Sequence, residues 1–140
     1  MNVIPYLPEH LAALRIQQAQ AYMEPLMRSP DYARELSAGD ARTWTHGGDV
    51  VGIGGVVPIW PGRACAWALV SAGAGRCMTA LTRSAGAFLS ASGVRRLEAY
   101  VDPDFHAAHR WMRMLGFTLE ARMSAFKPDG SPALLYARIG

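Results

Sequence analysis

Apolar and polar positions change their period several times along the chain, and each change predicts an element. Val3-Ile4, hemmed in by Pro5 and Pro8, reads as a short edge strand. From Pro8 onward, Leu11, Leu14, Gln18, Ala21 and Tyr22 recur at helical spacing, which predicts a helix that Glu24-Pro25 ends or kinks. Ser29-Pro30-Asp31 opens a second, short helix through Tyr32 and Leu36 to Gly39. Arg42–Thr45 reads as a strand, His46-Gly47-Gly48-Asp49 as a turn, and Val50–Val57 as a glycine-loaded strand. Pro61-Gly62 is a further turn. Ala64–Ser71 is apolar on both faces, the pattern of a central, covered strand. A glycine loop, Ala72–Arg76, feeds a helix striped by Met78, Leu81, Ala85, Phe88 and Leu89 and closed by Ser92-Gly93. Leu97, Ala99 and Val101 alternate with polar neighbours as a half-polar strand. Asp102-Pro103-Asp104 starts a helix along Phe105, Ala108, Met112 and Leu115, which Gly116 stops. Phe117, Leu119, Ala121, Met123 and Ala125 alternate as a strand, Lys127–Gly130 turns, and Ala133–Ile139 closes the sheet. The sum is an α+β domain with a mixed sheet, in which a strand, a helix and a second strand make a right-handed parallel crossover.

Composition narrows this picture. A chain of 140 residues, 51% hydrophobic and 18% charged, suits one domain, 1–140, with a real core and is not a disordered tail. No apolar run approaches the roughly 20 residues that span a bilayer, and Met1–Pro8 lacks the build of a signal peptide. The net charge of +3 sets thirteen arginines and one lysine against eleven acids, and the arginines are spread along the chain, so no nucleic-acid stripe stands out. Cys65 and Cys77 lack metal-ligand spacing and read as reduced, buried thiols of a cytoplasmic setting.

The order of elements, and the run from Ala64 to Phe117 in particular, resembles the GNAT superfamily of N-acetyltransferases. The matching features are a strand, a glycine turn, a helix, a strand, and a last helix ending in Met114-Leu115-Gly116-Phe117 with Ala108 eight residues before the glycine. The resemblance implies a mostly antiparallel sheet of six to seven strands, about four helices and a central parallel pair holding Leu69 and Leu97. It implies acetyl-CoA lying where those two strands splay, its pyrophosphate on the first amides of the crossover helix and its pantetheine arm along a strand edge. The acceptor implied is a small amine or a protein amine. The sequence departs from the family at two places. Val70 stands three residues before Gly73 where the phosphate loop carries Arg or Gln, and Met112 stands where a tyrosine often protonates the leaving thiolate. A narrower similarity runs to short bacteriophage members of the superfamily, on Ile53-Gly54-Gly55, Ala66-Trp67-Ala68, Arg76–Phe88 and Asp129-Gly130. That similarity implies a virion-associated or assembly role, with phage structural proteins or a second copy as partner and the host cytoplasm or the virion as location. The alternative is an active N-acetyltransferase.

Candidate residues follow from both readings. Leu69, Val70, Gly73, Ala74, Gly75 and Arg76 are the candidate cofactor contacts, with Arg83 two turns along the helix for a further phosphate. Glu98 or Tyr100, on one face of the half-polar strand with Asp102, is a candidate proton acceptor, and Tyr136 a candidate thiol-side acid. His106 and His109, three apart on one helix, are neighbours that could move protons near neutral pH or, with Asp102 or Asp104, ligate a metal; no metal is expected. Trp60, at a turn, is the tryptophan expected to be exposed and to meet a partner.

Overall fold

The structure, a computed structural model, describes all residues from Met1 to Gly140. Seven strands form one sheet in the order β1-β2-β3-β4-β5-β7-β6. They are β1 (Asn2–Pro5), β2 (Asp40–His46), β3 (Asp49–Trp60), β4 (Arg63–Val70), β5 (Arg96–Val101), β6 (Thr118–Met123) and β7 (Ala133–Ile139). The helices are α1 (Glu9–Ala13), α2 (Glu24–Met27), α3 (Pro30–Glu35), α4 (Met78–Ala91) and α5 (His106–Met114). Only β4 and β5 run parallel, joined by α4 as the strand–helix–strand pattern requires. The expected α+β class and central parallel pair, with Leu69 on β4 and Leu97 on β5, are therefore present.

The chain divides into two compact units, Met1–Val57 with Ala66–Ala85, and Pro58–Cys65 with Gly86–Gly140. In the first, β1, β2 and β3 pair antiparallel, with a bulge between Trp44 and Thr45. Glycines allow unusually close backbones there. A Cβ at Gly55 would lie 2.6 Å from the Asp40 carbonyl oxygen and 2.8 Å from Ala41 Cβ, so only glycine lets β2 sit this close. Leu11, Leu14, Leu36, Ile53 and Leu69 form the core of this unit, with Tyr6 donating to the Ala33 carbonyl at 2.9 Å. Burial pushes the Tyr6 phenol up to about 12, so its proton stays on that bond.

In the second unit, β4 pairs with β5 over Arg63, Ala64 and Cys65, β5 pairs with β7, and β6 closes the sheet against β7. Leu97, Val101, Met112, Leu115, Phe117 and Tyr136 are buried there. The alternation of Phe117 to Ala125 is real at the backbone, but β6 ends at Met123 and nearly all its side chains are exposed. A bulge at Glu120 shifts its register between Leu119 and Ala121.

Three local expectations fail. The helix expected from Pro8 to Glu24 is only α1. Arg15–Gln17 leave helical geometry because their backbone meets the end of β4: Ala72 N–H donates to Arg15 O at 2.9 Å and Gln17 N–H to Val70 O at 3.2 Å. A 3-10 turn, Gln18–Met23, follows. Glu24-Pro25 starts α2 instead of ending a helix, with Pro25 in its first turn. The last helix begins at His106, beyond Asp102-Pro103-Asp104, because the Pro103 carbonyl is taken by the His109 ring and Phe105 N–H closes a turn on Asp102.

Candidate functional site

The turn from β4 into α4 lies within the first unit. Ser71 organises it: its hydroxyl accepts from Gly73 N–H at 3.1 Å and its carbonyl accepts from Ala74 N–H at 3.1 Å. A 3-10 turn, Gly75–Cys77, then runs straight into α4, with Ala74 and Cys77 buried beneath it. First-turn amides have no intrahelical carbonyl to meet and carry the positive end of the helix dipole. Neither Gly73 nor Gly75 has a positive φ, a Cβ at Gly75 would meet nothing within 4 Å, and one at Gly73 only the Ser71 hydroxyl at 3.9 Å. Backbone conformation and packing thus leave both glycines unexplained, and their effect is open space over the amides. Arg76 and Arg83 are exposed and seven residues apart, so they fall on one side of the helix. This donor set fits a polyanion such as a diphosphate.

The edge of β4 next to this turn carries a second feature. Gln20 Nε2 donates to the Ala68 carbonyl at 3.0 Å, and Val70 N–H donates to Gln20 Oε1 at 3.1 Å. Gln17 Nε2 donates to the same Gln20 oxygen at 2.9 Å. Val70 is therefore held through its backbone at a strand edge, and Leu69, buried, faces the core.

The three candidate catalytic residues sit in the second unit. Glu98 is buried, and both its oxygens accept from guanidinium groups: Arg63 at 2.6 and 2.8 Å, Arg96 at 2.7 Å. Hydrogen bonding from Arg63, and then from Arg96, lowers its pKa to about 2. A carboxylate so held is a weak proton acceptor near neutral pH. Arg96 continues the network to Glu120 at 2.6 and 2.9 Å. Tyr100 is half-exposed and stacks on Phe126 with ring centres 4.9 Å apart. Desolvation raises its pKa, so it is a proton donor at neutral pH. Tyr136 is buried and its hydroxyl lies 2.8 Å from His109 Nδ1. His109 Nε2 lies 2.9 Å from the Pro103 carbonyl, which can only accept, so Nε2 carries the proton and Tyr136 donates to Nδ1. His106 and His109 have ring centres 6.3 Å apart, and no group of three His, Cys, Asp or Glu residues gathers anywhere to hold a metal.

With this geometry in place, similarity to solved structures becomes informative. Ard1 from Thermoplasma volcanium matches with a TM-score of 0.80 at 19% identity, over 99% of this chain and 96% of that one. A GNAT-family protein of Desulfovibrio desulfuricans matches at 0.73 and 20% identity, over 99% and 98%. The chain has the GNAT fold. An N-acetyltransferase from Staphylococcus aureus is similar as well, at 0.72 and 16% identity over 99% and 97% of the two chains. No family model matches the sequence, and no curated protein matches it.

Sequence reasoning missed Gln20 and the Tyr136–His109 bond. A glutamine inside an expected helix, off its apolar stripe, carries no signal for a strand edge, and Tyr136 lies 27 residues from its partner.

Proposed function

We propose that this GNAT-fold chain binds acetyl-CoA, or a close acyl-CoA, along β4 and the start of α4 and passes the acyl group to an amine. The observation that carries this reading is the β4–α4 turn. It has two glycines that neither conformation nor packing requires, open space over first-turn amides, and two exposed arginines two turns apart. The amides of Gly75 and Arg76 and the Arg76 and Arg83 guanidinium groups would hold the phosphates, and the Ala68–Val70 edge would align the arm. When bound, acetyl-CoA supplies a thioester activated toward amines. Glu98 is a structural anion more than a base, because Arg63 and Arg96 hold its charge.

The test is calorimetric titration with CoA. Wild-type protein should bind, and Arg76→Glu should weaken binding at least tenfold by placing an anion beside the phosphates. Absence of binding to the wild type at millimolar CoA would remove the reading.

A second reading is favoured by the exposed end of the β3–β4 hairpin. Ile59 and Trp60 are 42% and 59% exposed, and Arg63 lies 4.4 Å from the centre of the Trp60 ring. An apolar tip of this kind suits a docking surface. It supports a virion-associated or assembly role of bacteriophage type, with structural proteins or a second copy as partner, and is compatible with retained acyl-CoA binding.

A further inference from the structure

The arginines lie scattered along the sequence, but the fold gathers some of them in the second unit. There α5 buries His109 and Met112. At about 100° per residue, His106, Arg110 and Arg113 then share one stripe, about 10 Å long, and all three are exposed. Beside that stripe runs an apolar strip of Ala107 and Met114, the latter 69% exposed. No acidic residue occurs from Phe105 to Leu119. Arg122, on β6, extends the positive surface. It pairs with Leu134, which points to the same side of the sheet as Tyr136, and the Tyr136 hydroxyl meets His109 of α5.

These cations are uncommitted. Elsewhere in this unit Arg63 and Arg96 serve Glu98, Arg96 also serves Glu120, and Lys127 pairs with Asp102 at 3.0 Å. No ion pair takes Arg110, Arg113 or Arg122. Arg113 donates Nε–H to the His109 carbonyl at 3.3 Å, which lays its stem along the helix. The helix dipole accounts for a cation in the last turn, Arg113, but not for Arg110 in the middle. Like charges three or four residues apart disfavour a helix, and nothing within the chain offsets them here.

We propose that the outer face of α5, with Arg122, is a binding surface for single-stranded nucleic acid. Backbone phosphates meet Arg110, Arg113 and Arg122, whose guanidinium forks match phosphate oxygens, and His106 adds a donor. Unstacked bases rest on the strip of Ala107 and Met114. The pairing of a charged stripe with an apolar one selects this partner. A duplex hides its bases and leaves the strip uncovered. A membrane surface takes the apolar face of a basic helix, and α5 spends that face on the core. The surface shares no residue with the β4–α4 turn, so it stands or falls apart from acyl-CoA binding.

The experiment follows the fluorescence anisotropy of a short labelled oligothymidylate titrated with the full chain over a series of salt concentrations. Three phosphate contacts at about 0.7 each give wild type a slope of about −2 in log affinity against log salt. Arg110→Gln/Arg113→Gln should weaken binding about tenfold at low salt and reduce the slope to about −0.7. Arg110→Lys/Arg113→Lys keeps the charge and should keep the slope. Arg28→Gln/Arg34→Gln removes the same charge from exposed positions elsewhere and should bind within about twofold of wild type. An abasic strand of equal length should bind more weakly than oligothymidylate, because nothing then covers Ala107 and Met114. The proposal is overturned by no binding of wild type at low salt, by equal losses in the two glutamine pairs, or by equal affinity for the abasic strand. Polyglutamate that displaces the strand as well as unlabelled oligothymidylate does also overturns it, in favour of an acidic protein partner.

Discussion

Replacing Glu98 by glutamine isolates the charge of the Arg63–Glu98–Arg96 cluster while keeping its shape. The carboxyl titrates at about 2 in the folded chain because Arg63 and then Arg96 donate to it. Moving a carboxyl from 4.5 to about 2 separates its two protonation states by about 3 kcal/mol. Arg63 and Arg96 are 27% and 29% exposed, so screening leaves an expected contribution of about 2 kcal/mol. The sign follows from the direction of the shift. A depressed pKa means the unfolded chain takes up protons first as pH falls, so the stabilisation is complete above 4.5 and disappears between 4.5 and about 2. Urea unfolding of wild type and Glu98→Gln at a series of pH values reads this directly. The variant should be about 2 kcal/mol less stable at pH 7, and the two curves should converge near pH 2. Asp129 also has a lowered pKa, but it lies outside the cluster, titrates in both proteins and cancels in the difference. Glu120, also lowered, shares Arg96 with Glu98, so the pH series is also run on Glu120→Gln and on the double variant to remove its contribution. A gap that stays constant from pH 7 to pH 2 would show that shape, and not charge, sets the cost of the substitution, and would refute the argument.

Two further substitutions test other parts of the structure. Gly55→Ala puts a methyl group 2.6 Å from the Asp40 carbonyl, where rigid β2 backbone must move, so thermal unfolding should report a loss of about 2–3 kcal/mol. A loss below about 0.5 kcal/mol would mean β2 is not held that close. Trp60→Ser should change unfolding free energy by less than about 1 kcal/mol, since most of the residue is exposed and its contact with Arg63 is a surface one. If the hairpin tip mediates self-association, sedimentation velocity should show concentration-dependent dimers for wild type and none for the variant. Identical behaviour of the two would argue against that surface.

The fold was legible wherever one segment's period decided its state. The stripe Met78–Leu89 sits on α4, the two-sided apolar run on β4 and the half-polar run on β5, each close to its expected bounds. Legibility failed where a distant segment overrode the local pattern. Nothing in Leu14, Gln18 and Tyr22 says that Arg15–Gln17 will bond to Val70–Ala72, and it is those bonds that break the helix. The candidate phosphate loop was visible because its chemistry is local: glycines, first-turn amides and an arginine in one short run. Glu98 was visible as a polar residue on a strand, but its state was not. Its partner Arg63 enters through the parallel register, which sets Cys65 opposite Glu98, and register is a property of two strands together. The same holds for Tyr136 and His109, which meet only once β7 and α5 are packed.

The sheet ends on two guarded margins. At one, β1 is four residues long and closes with Pro5, which has no N–H to offer. At the other, the kink at Glu120 throws β6 out of a straight ladder and sets charged Glu120 and Arg122 along it. A stray extended chain therefore finds no long, flat template at either limit. A chain that is half apolar by composition can remain dispersed, without seeding fibrous aggregates, because its outermost backbones are poor hosts for recruitment.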